Sequence, residues 1–279
     1  MGRQVNGFLW NLLAVAVLAI WAVVSIFPLY WNAVAAFLPV EDIFSYPPQL
    51  LPFGGTTENF TDLVTAIPTF WRNVLNSLIL AVAIPIASVF LSTLAGFAFA
   101  KLNFRGREVL FYSLIGTIAI PPLVGYVPLF LFMNRVGLTD SLWAIFFPSV
   151  IGAYGIFLFR QTIESIPDAL FDAARIDGAS NFVIYRLIAV PLIVPMIITQ
   201  LTIQFLNAFN DYFWPLIILR TPENQTFPVA LASIRGQSFD SPWGQIMAGS
   251  FLLMIPVIII FAFLSRYVVP NISAGSVKG

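Results

Sequence analysis

Charge spacing constrains this chain most. Its 279 residues carry thirteen Lys plus Arg and thirteen Asp plus Glu, and these leave long intervals with no charge at all. Residues 4–40, 73–100, 109–134 and 141–159 are uncharged, as are the 24 residues between Arg186 and Asp211 and the 25 between Asp240 and Arg266. A helix needs about 20 apolar residues to cross the hydrocarbon of a bilayer, and all six intervals reach or approach that length. Spans of this kind are helical, because a lone continuous apolar segment must pair its own backbone groups; a β-barrel would show alternating segments of about ten residues. The fold class that follows is an all-α integral membrane protein with six transmembrane helices.

Composition agrees. Apolar residues make up 59% and charged residues 9%, too little polar surface to cover a soluble domain of this size. The net charge is zero, which removes the long-range attraction that draws proteins to nucleic acid. With no His and no Cys, disulfides, thiolate or imidazole metal sites and catalytic triads built on those residues are excluded. No paired carboxylates stand in a span, so the chain is expected to carry no catalytic constellation and no metal site of its own.

Basic residues orient the spans, since Lys and Arg near span ends stay on the cytoplasmic side. With the N-terminus inside, nine fall on cytoplasmic segments (Arg3, Lys101, Arg105, Arg107, Arg160, Arg175, Arg186, Arg266, Lys278) and four on external ones (Arg72, Arg135, Arg220, Arg235). Both termini are therefore expected in the cytoplasm. The first apolar run, with Trp10, Trp21 and Trp31 spread along it, is too long for the apolar region of a signal peptide and reads as a retained first helix. The chain divides into a first helix and external loop (1–70), a core bundle (71–270) and a tail (271–279), all within one transmembrane domain spanning 1–279.

Residues 41–70 contain Pro47, Pro48, Pro52, Gly54 and Gly55, which interrupt regular structure, and four acids; the segment reads either as a docking surface or as a solvated connection. Asn59, Phe60 and Thr61 form a glycosylation sequon, a short match of little weight. The segments Lys101 to Glu108 and Arg135 to Asp140 read as ordinary short connections.

The loop between spans four and five differs. Residues 160–186 hold seven charges, Arg160, Glu164, Asp168, Asp172, Arg175, Asp177 and Arg186, a density suited to meeting another protein. Pro167 suits the first position of a helix and Gly178 the residue just past its end, which gives about three turns. Leu170, Ala173, Ala174 and Ile176 or Asp177 follow 3- and 4-residue spacing, a small-residue face flanked by Asp168, Asp172 and Arg175. Ser180 is placed to cap a second short helix running to Arg186. Small alanines let a groove approach the backbone, so docking of this helix into a partner is the natural use. The competing use, an amphipathic helix on lipid headgroups, calls for bulky apolar and basic residues that are missing here.

The string from Pro167 to Ala179 (Asp168, Ala169, Leu170, Phe171, Asp172, Ala173, Ala174, Arg175, Ile176, Asp177, Gly178), with Ser180, Pro191 and Pro195 after it, resembles the "EAA" motif. That motif marks the membrane-spanning permease subunits of ABC importers, in particular the MalG-like carbohydrate-uptake group. Asn76 and Ser77, the run Ala95 to Phe99, Arg105 to Arg107, and the tail Ala274 to Gly279 are similar as well. Asp172 stands where that family often has Glu, keeping the charge with a shorter reach.

The resemblance implies a coupling helix, carrying Asp168, Asp172, Ala173, Ala174, Arg175, Asp177, Gly178 and Ala179, seated in a cytoplasmic ATP-hydrolysing subunit. It also implies the assembly: a second permease chain, two ATP-binding subunits holding ATP and Mg, and an external solute-binding protein, set in the lipid of the cell membrane. The sequence accords with that division of labour. A P-loop needs Lys after Gly, whereas the two lysines, Lys101 and Lys278, follow Ala100 and Val277.

Span five is the most polar. Gln200, Gln204, Asn207 and Asp211 recur at four, three and four residues, on one helical stripe, with Asn210 beside it and Trp214 three residues further on. Amides, a carboxylate and an aromatic face are groups that bind sugars, so the stripe is expected to line a path for a sugar or related polyol. The rival is helix-helix glue, and Asp211 also fits an interfacial position. Pro121, Pro122, Gly125 and Pro128 are expected to loosen span three. The alternative class, an ion-coupled secondary transporter, calls for internal repeats and midplane carboxylates; no repeat is visible and Asp211 is the one candidate acid.

Overall fold

The computed structural model describes residues 2–234 and 242–274. Arg235, Asp240 and the tail residues Gly275 to Gly279, including Lys278, lie outside the described residues. The helices in chain order are α1 (Gly2–Ala35), α2 (Glu58–Ala66), α3 (Phe70–Lys101), α4 (Arg107–Gly116), α5 (Pro122–Arg135), α6 (Trp143–Ser149) and α7 (Ala153–Glu164). They continue as α8 (Asp168–Ile176), α9 (Asn181–Ile184), α10 (Val190–Leu192), α11 (Val194–Asn210), α12 (Phe213–Ile218), α13 (Phe227–Ile234) and α14 (Trp243–Ala274). Among the described residues all regular structure is helical.

Among the described residues, four stretches are long and apolar enough to cross a membrane: Trp10–Ala35, Phe70–Lys101, Trp143–Glu164 and Trp243–Phe263. Two further pairs pass that test only together. Arg107–Ala119 and Pro122–Arg135 meet at 104°, and Asn181–Leu192 and Val194–Asn210 at 78°. The third interval is thus not one straight helix. Pro121 and Pro122 cannot donate the backbone bonds that would carry a helix through, and Pro121 adopts extended backbone (ψ 130°). Pro191 and Pro195 bracket the second bend, where Ile193 leaves the helical region.

The chain forms two compact units. The first comprises residues 1–68 and 231–256. In it Val34, Ala35, Leu38 and Ile43 form a small core against Trp31, Trp243 and Met247, and Phe37 packs on Phe60 and Phe251. The segment after α1 is more ordered than its prolines and glycines suggest. Buried Asn59 in α2 donates its amide to the carbonyls of Ala36 (3.0 Å) and Leu38 (2.7 Å), so the sequon side chain is an internal tie and not an open glycosylation site. The apolar surface of α1 from Trp10 to Tyr30 is exposed throughout.

The second unit comprises residues 69–230 and 257–274 among those described and is organised on α3, which packs along α7 and α11. Buried Ser88, Ser92 and Gly96 recur every four residues on α3, a small-residue seam that lets backbones approach. A Cβ on Gly96 would stand 2.7 Å from Cβ of Phe159 and 2.9 Å from the backbone nitrogen of Arg160, so only glycine fits this crossing. At the Lys101 end, Val89, Phe97, Phe159, Ile163, Phe171, Tyr185 and Ile193 form one core, within which the hydroxyls of Thr93 and Tyr185 share a 2.8 Å hydrogen bond. Nearer the Asn73 end, Leu80, Ile84, Met133, Ile145, Trp214 and Ile218 form another.

Candidate functional site: a latched loop helix and a polar cavity

Helix α8 occupies the charged loop, with bounds close to those expected. Pro167 stands just before the first turn (ψ 131°) instead of in it, because α8 begins at Asp168 and is nine residues long. Gly178 follows its end at φ +83°, the left-handed conformation that ends a helix without steric cost only in glycine. The Ser180 hydroxyl accepts the backbone N–H of Val183 at 3.4 Å, and α9 passes into a π-helical turn, Tyr185–Ala189, before reaching Arg186's expected helix end.

The sequence-level helix face needs revision. Phe171 is fully buried and Ala174 is half-buried against the same core, whereas Ala169, Leu170, Asp172, Ala173, Arg175, Ile176, Asp177 and Gly178 are exposed. The two alanines therefore face different ways, Ala173 outward and Ala174 inward, with Ala179 half-buried. Aromatic burial at Phe171 outweighs the tidy small-residue stripe, since an aromatic of that size gains most from leaving water. Ile176 is 87% exposed, more so than Leu170 at 47%, and is the most exposed apolar side chain of α8.

Lys101, read from sequence as part of a plain connection, holds α8 in place. Its side chain is 5% exposed, and its ammonium donates to the Asp168 carboxylate (2.7 Å) and the Ile166 carbonyl (2.9 Å) while standing 4.5 Å over the ring of Phe171. Asp168 is exposed, and its bond to Lys101 together with that charge holds its carboxyl below the usual carboxylate range. Arg175 completes the clasp, pairing with Asp172 at 2.8 Å and donating to the Lys101 carbonyl at 3.0 Å. Asp172 thus finds its ion pair within its own helix, three residues away. The signal available in sequence was a lone Lys at the end of an apolar run, which the distance of 67 residues to Asp168 conceals.

Not all seven loop charges face outward. Arg160 and Glu164 lie on α7, where buried Arg160 bonds Glu164 (2.7 Å) and Glu108 of α4 (3.1 Å) and stacks 3.8 Å above Phe111. These charges join α4 to α7 and leave the outward role to α8.

At the other end of α3, Asn73 and Asn76 donate their amides to the carbonyls of Pro222, Glu223 and Gln225 at 2.7–3.0 Å, and the Ser77 hydroxyl accepts the N–H of Phe227 at 2.8 Å. Asp140, at φ +58°, accepts the N–H groups of Arg220 (2.8 Å) and Thr221 (3.0 Å), and its carbonyl accepts the Asn224 amide. Desolvation alone would raise its carboxyl; those N–H donors outweigh it and hold the group below the ordinary value.

Between these ends lies a cavity of about 610 Å³, within the range of small-molecule sites. Gln204, Asn207, Asn210 and Asp211 line it with Ile84, Pro122, Tyr126, Ile145 and Ser149. A second cavity of about 400 Å³ shares Pro122, Tyr126, Ser149 and Asp211 and adds Trp214. Gln200 is not among the lining residues of either. It is 1% exposed and sits at the α3–α7–α11 crossing, its amide nitrogen 3.5 Å from where a Cβ on Gly155 would be. The stripe divides at this point: a turn away from the crossing it opens to the cavity. Trp214 is buried, donates to the Ala144 carbonyl at 3.1 Å, and stacks on Tyr126 at 5.3 Å. Tyr126 and Ser149, from α5 and α6, were not distinguishable in sequence because each stands alone in an apolar segment.

A bundle of bent and straight apolar helices with an outward-facing loop helix and a polar internal cavity is the architecture of a solute permease. The model of binding-protein-dependent transport system inner membrane components matches residues 52–274, and the chain belongs to that family, the permease subunits of ABC importers. The arabinooligosaccharides transport system permease protein AraQ of Halalkalibacterium halodurans is 31% identical over 285 residues, covering 100% of both chains. The sn-glycerol-3-phosphate transport system permease protein UgpE of Salmonella choleraesuis is 33% identical over 253 residues, 87% of this chain and 89% of that one. A chain from the crystal structure of a bacterial ABC transporter that imports the acidic polysaccharide alginate shares the fold, with a TM-score of 0.83 and 24% identity over 93% of this chain and 96% of that one. The protein is a multi-pass membrane component of an ATP-driven importer, and the ion-coupled alternative has no support.

Proposed function

We propose that this chain is one half of the membrane channel of a sugar or polyol importer, with six spans, both termini in the cytoplasm, and each bent helix pair forming one span. The arabino-oligosaccharide and glycerol-phosphate relatives support a polyhydroxylated solute. A second permease chain completes the channel, two subunits binding ATP and Mg drive it, and an external binding protein delivers the solute.

One observation carries the reading. Helix α8 is exposed along Ala169, Ala173 and Ile176, yet fixed to the bundle by buried Phe171 and by Lys101. A helix bare on one side and clamped on the other is built to transmit displacement: what seats on Ala173 and Ile176 moves α3 and α7 with it. ATP binding that closes the partner subunits favours one seating of α8, and a ligand with unequal affinity for two states shifts their populations. The solute then meets Gln204, Asn207, Asn210 and Asp211 in a cavity whose hydroxyl-matching amides replace its water.

Gly178→Leu tests the coupling. Open space surrounds Gly178, so a side chain meets no clash, but φ +83° strains any L-residue and reshapes the end of α8. The variant complex is expected to assemble and hydrolyse ATP while solute uptake in proteoliposomes falls at least tenfold; undiminished uptake refutes the docking role. Orientation is tested with single cysteines at Gly54 and Ile176 and an impermeant thiol reagent on intact cells, where Gly54→Cys is expected to label and Ile176→Cys is not.

A further inference from the structure

The lining of the two cavities is one-sided in charge. Among the described residues, the polar groups facing them are Tyr126, Ser149, Gln204, Asn207, Asn210 and Asp211: neutral hydrogen-bonding groups and a single acid, with no Lys or Arg. Asp211 is the acid common to the lining of both cavities. Arg220, from the loop after α12, stands 5.6 Å over the ring of Phe130, and neither residue is in the lining of these two cavities.

An anionic solute entering such a space gives up its hydration and finds no counter-charge; burying a charge without a partner is costly. A neutral polyhydroxylated solute loses less. Its hydroxyls pair with amide donors and acceptors on Gln204, Asn207 and Asn210, and Tyr126, held in the wall by stacking on Phe213 at 5.6 Å and Trp214 at 5.3 Å, adds a hydroxyl-bearing ring to the lining.

We infer that the wall contributed by this chain selects uncharged saccharides and rejects phosphorylated or uronic-acid solutes. The inference rests on the cavity being the solute path. It separates this chain from relatives named for sn-glycerol 3-phosphate and from the alginate importer that shares its fold, whose solutes are acidic.

The test uses the complete importer, with its own partner permease, ATPase and binding protein, in proteoliposomes. Radiolabelled arabinotriose, maltose and diacetylchitobiose are the neutral probes; digalacturonate and sn-glycerol 3-phosphate are the anionic ones. The expected result is uptake of at least one neutral probe at more than a hundred times the rate of either anion. Gln204→Lys and Asn210→Lys are each expected to raise the anion-to-neutral ratio at least tenfold, and two variants guard against one failing to fold. Anion uptake equal to or above neutral uptake overturns the inference, as does intact ATP turnover without uptake of any neutral probe. So does an unchanged ratio in both folded variants. Asn207→Ala separates the two levels: if it alters the KM for the probe that moves while that probe is anionic, the path stands and the selectivity falls. If it alters nothing, the path falls and the selectivity with it.

Discussion

Replacing Lys101 with Met keeps the aliphatic stem and removes the ammonium that clamps α8. The loss has three parts. The bond to the Ile166 carbonyl at 2.9 Å is charge-assisted and shielded, a class worth about 1.5–3 kcal/mol. The ammonium over Phe171 at 4.5 Å adds about 0.5–1 kcal/mol. The pair with Asp168 adds little, since that carboxylate is exposed and screened by water. The docked state of α8 is therefore expected to weaken by about 2–4 kcal/mol relative to a detached loop, a factor of roughly 30 to 900 in its equilibrium. Hydrogen exchange on the purified complex reads that number directly: protection of the α8 amides from Phe171 to Ile176 falls by this factor, while the α3 amides around Leu80 keep theirs. ATP turnover continues and the solute carried per ATP declines. Protection of α8 unchanged within about twofold shows that Phe171 alone seats the helix, and the clamp argument is then wrong.

Three further outcomes are expected. Gly96→Ala places a Cβ 2.7 Å from that of Phe159, an overpacking that costs about 1–3 kcal/mol and lowers the melting temperature of the detergent-solubilised complex; an unchanged melt removes the close α3–α7 approach. Asp140, whose carboxyl is held low by the Arg220 and Thr221 N–H groups, stabilises its loop fully above the unfolded carboxylate value near about 4 and loses that contribution as pH falls through the lower folded value. Melting measured across that acid window is expected to lose part of its pH slope in Asp140→Ala, and an identical slope refutes the role. Asn207→Ala and Asp211→Ala are expected to raise the KM for uptake severalfold without lowering the yield of assembled complex; unchanged kinetics instead favour a packing role for both.

Four of the apolar stretches and the loop helix were legible because each rests on local rules: charges are excluded from hydrocarbon, and proline and glycine bracket a helix. Bends were only half legible. Pro121 and Pro122 announced a weakness, but an angle of 104° depends on what α4 and α5 pack against. Long-range pairs were hidden altogether. Nothing near Lys101 in sequence points to Asp168, and nothing near Asn73 and Asn76 points to the carbonyls of residues 222–225. The polar stripe on α11 was found by periodicity, yet periodicity cannot say that Gln200 meets a neighbouring helix while Gln204 and Asn207 meet open space. On α8 the reading by residue size failed at Phe171, where one aromatic side chain rotated the buried face onto Ala174.

Helix α3 has a mechanical consequence. It is 32 residues long, about 48 Å at the usual rise, and fastened at both tips: amides of Asn73 and Asn76 grip one loop and Lys101 grips another. Pro85 withholds a backbone donor at its midpoint, yet the helix runs unbroken through it. A rocking of 10° about that point swings each tip by roughly 4 Å in opposite senses. A displacement imposed at one tip of such a rod is felt at the other, with no relay of side chains in between.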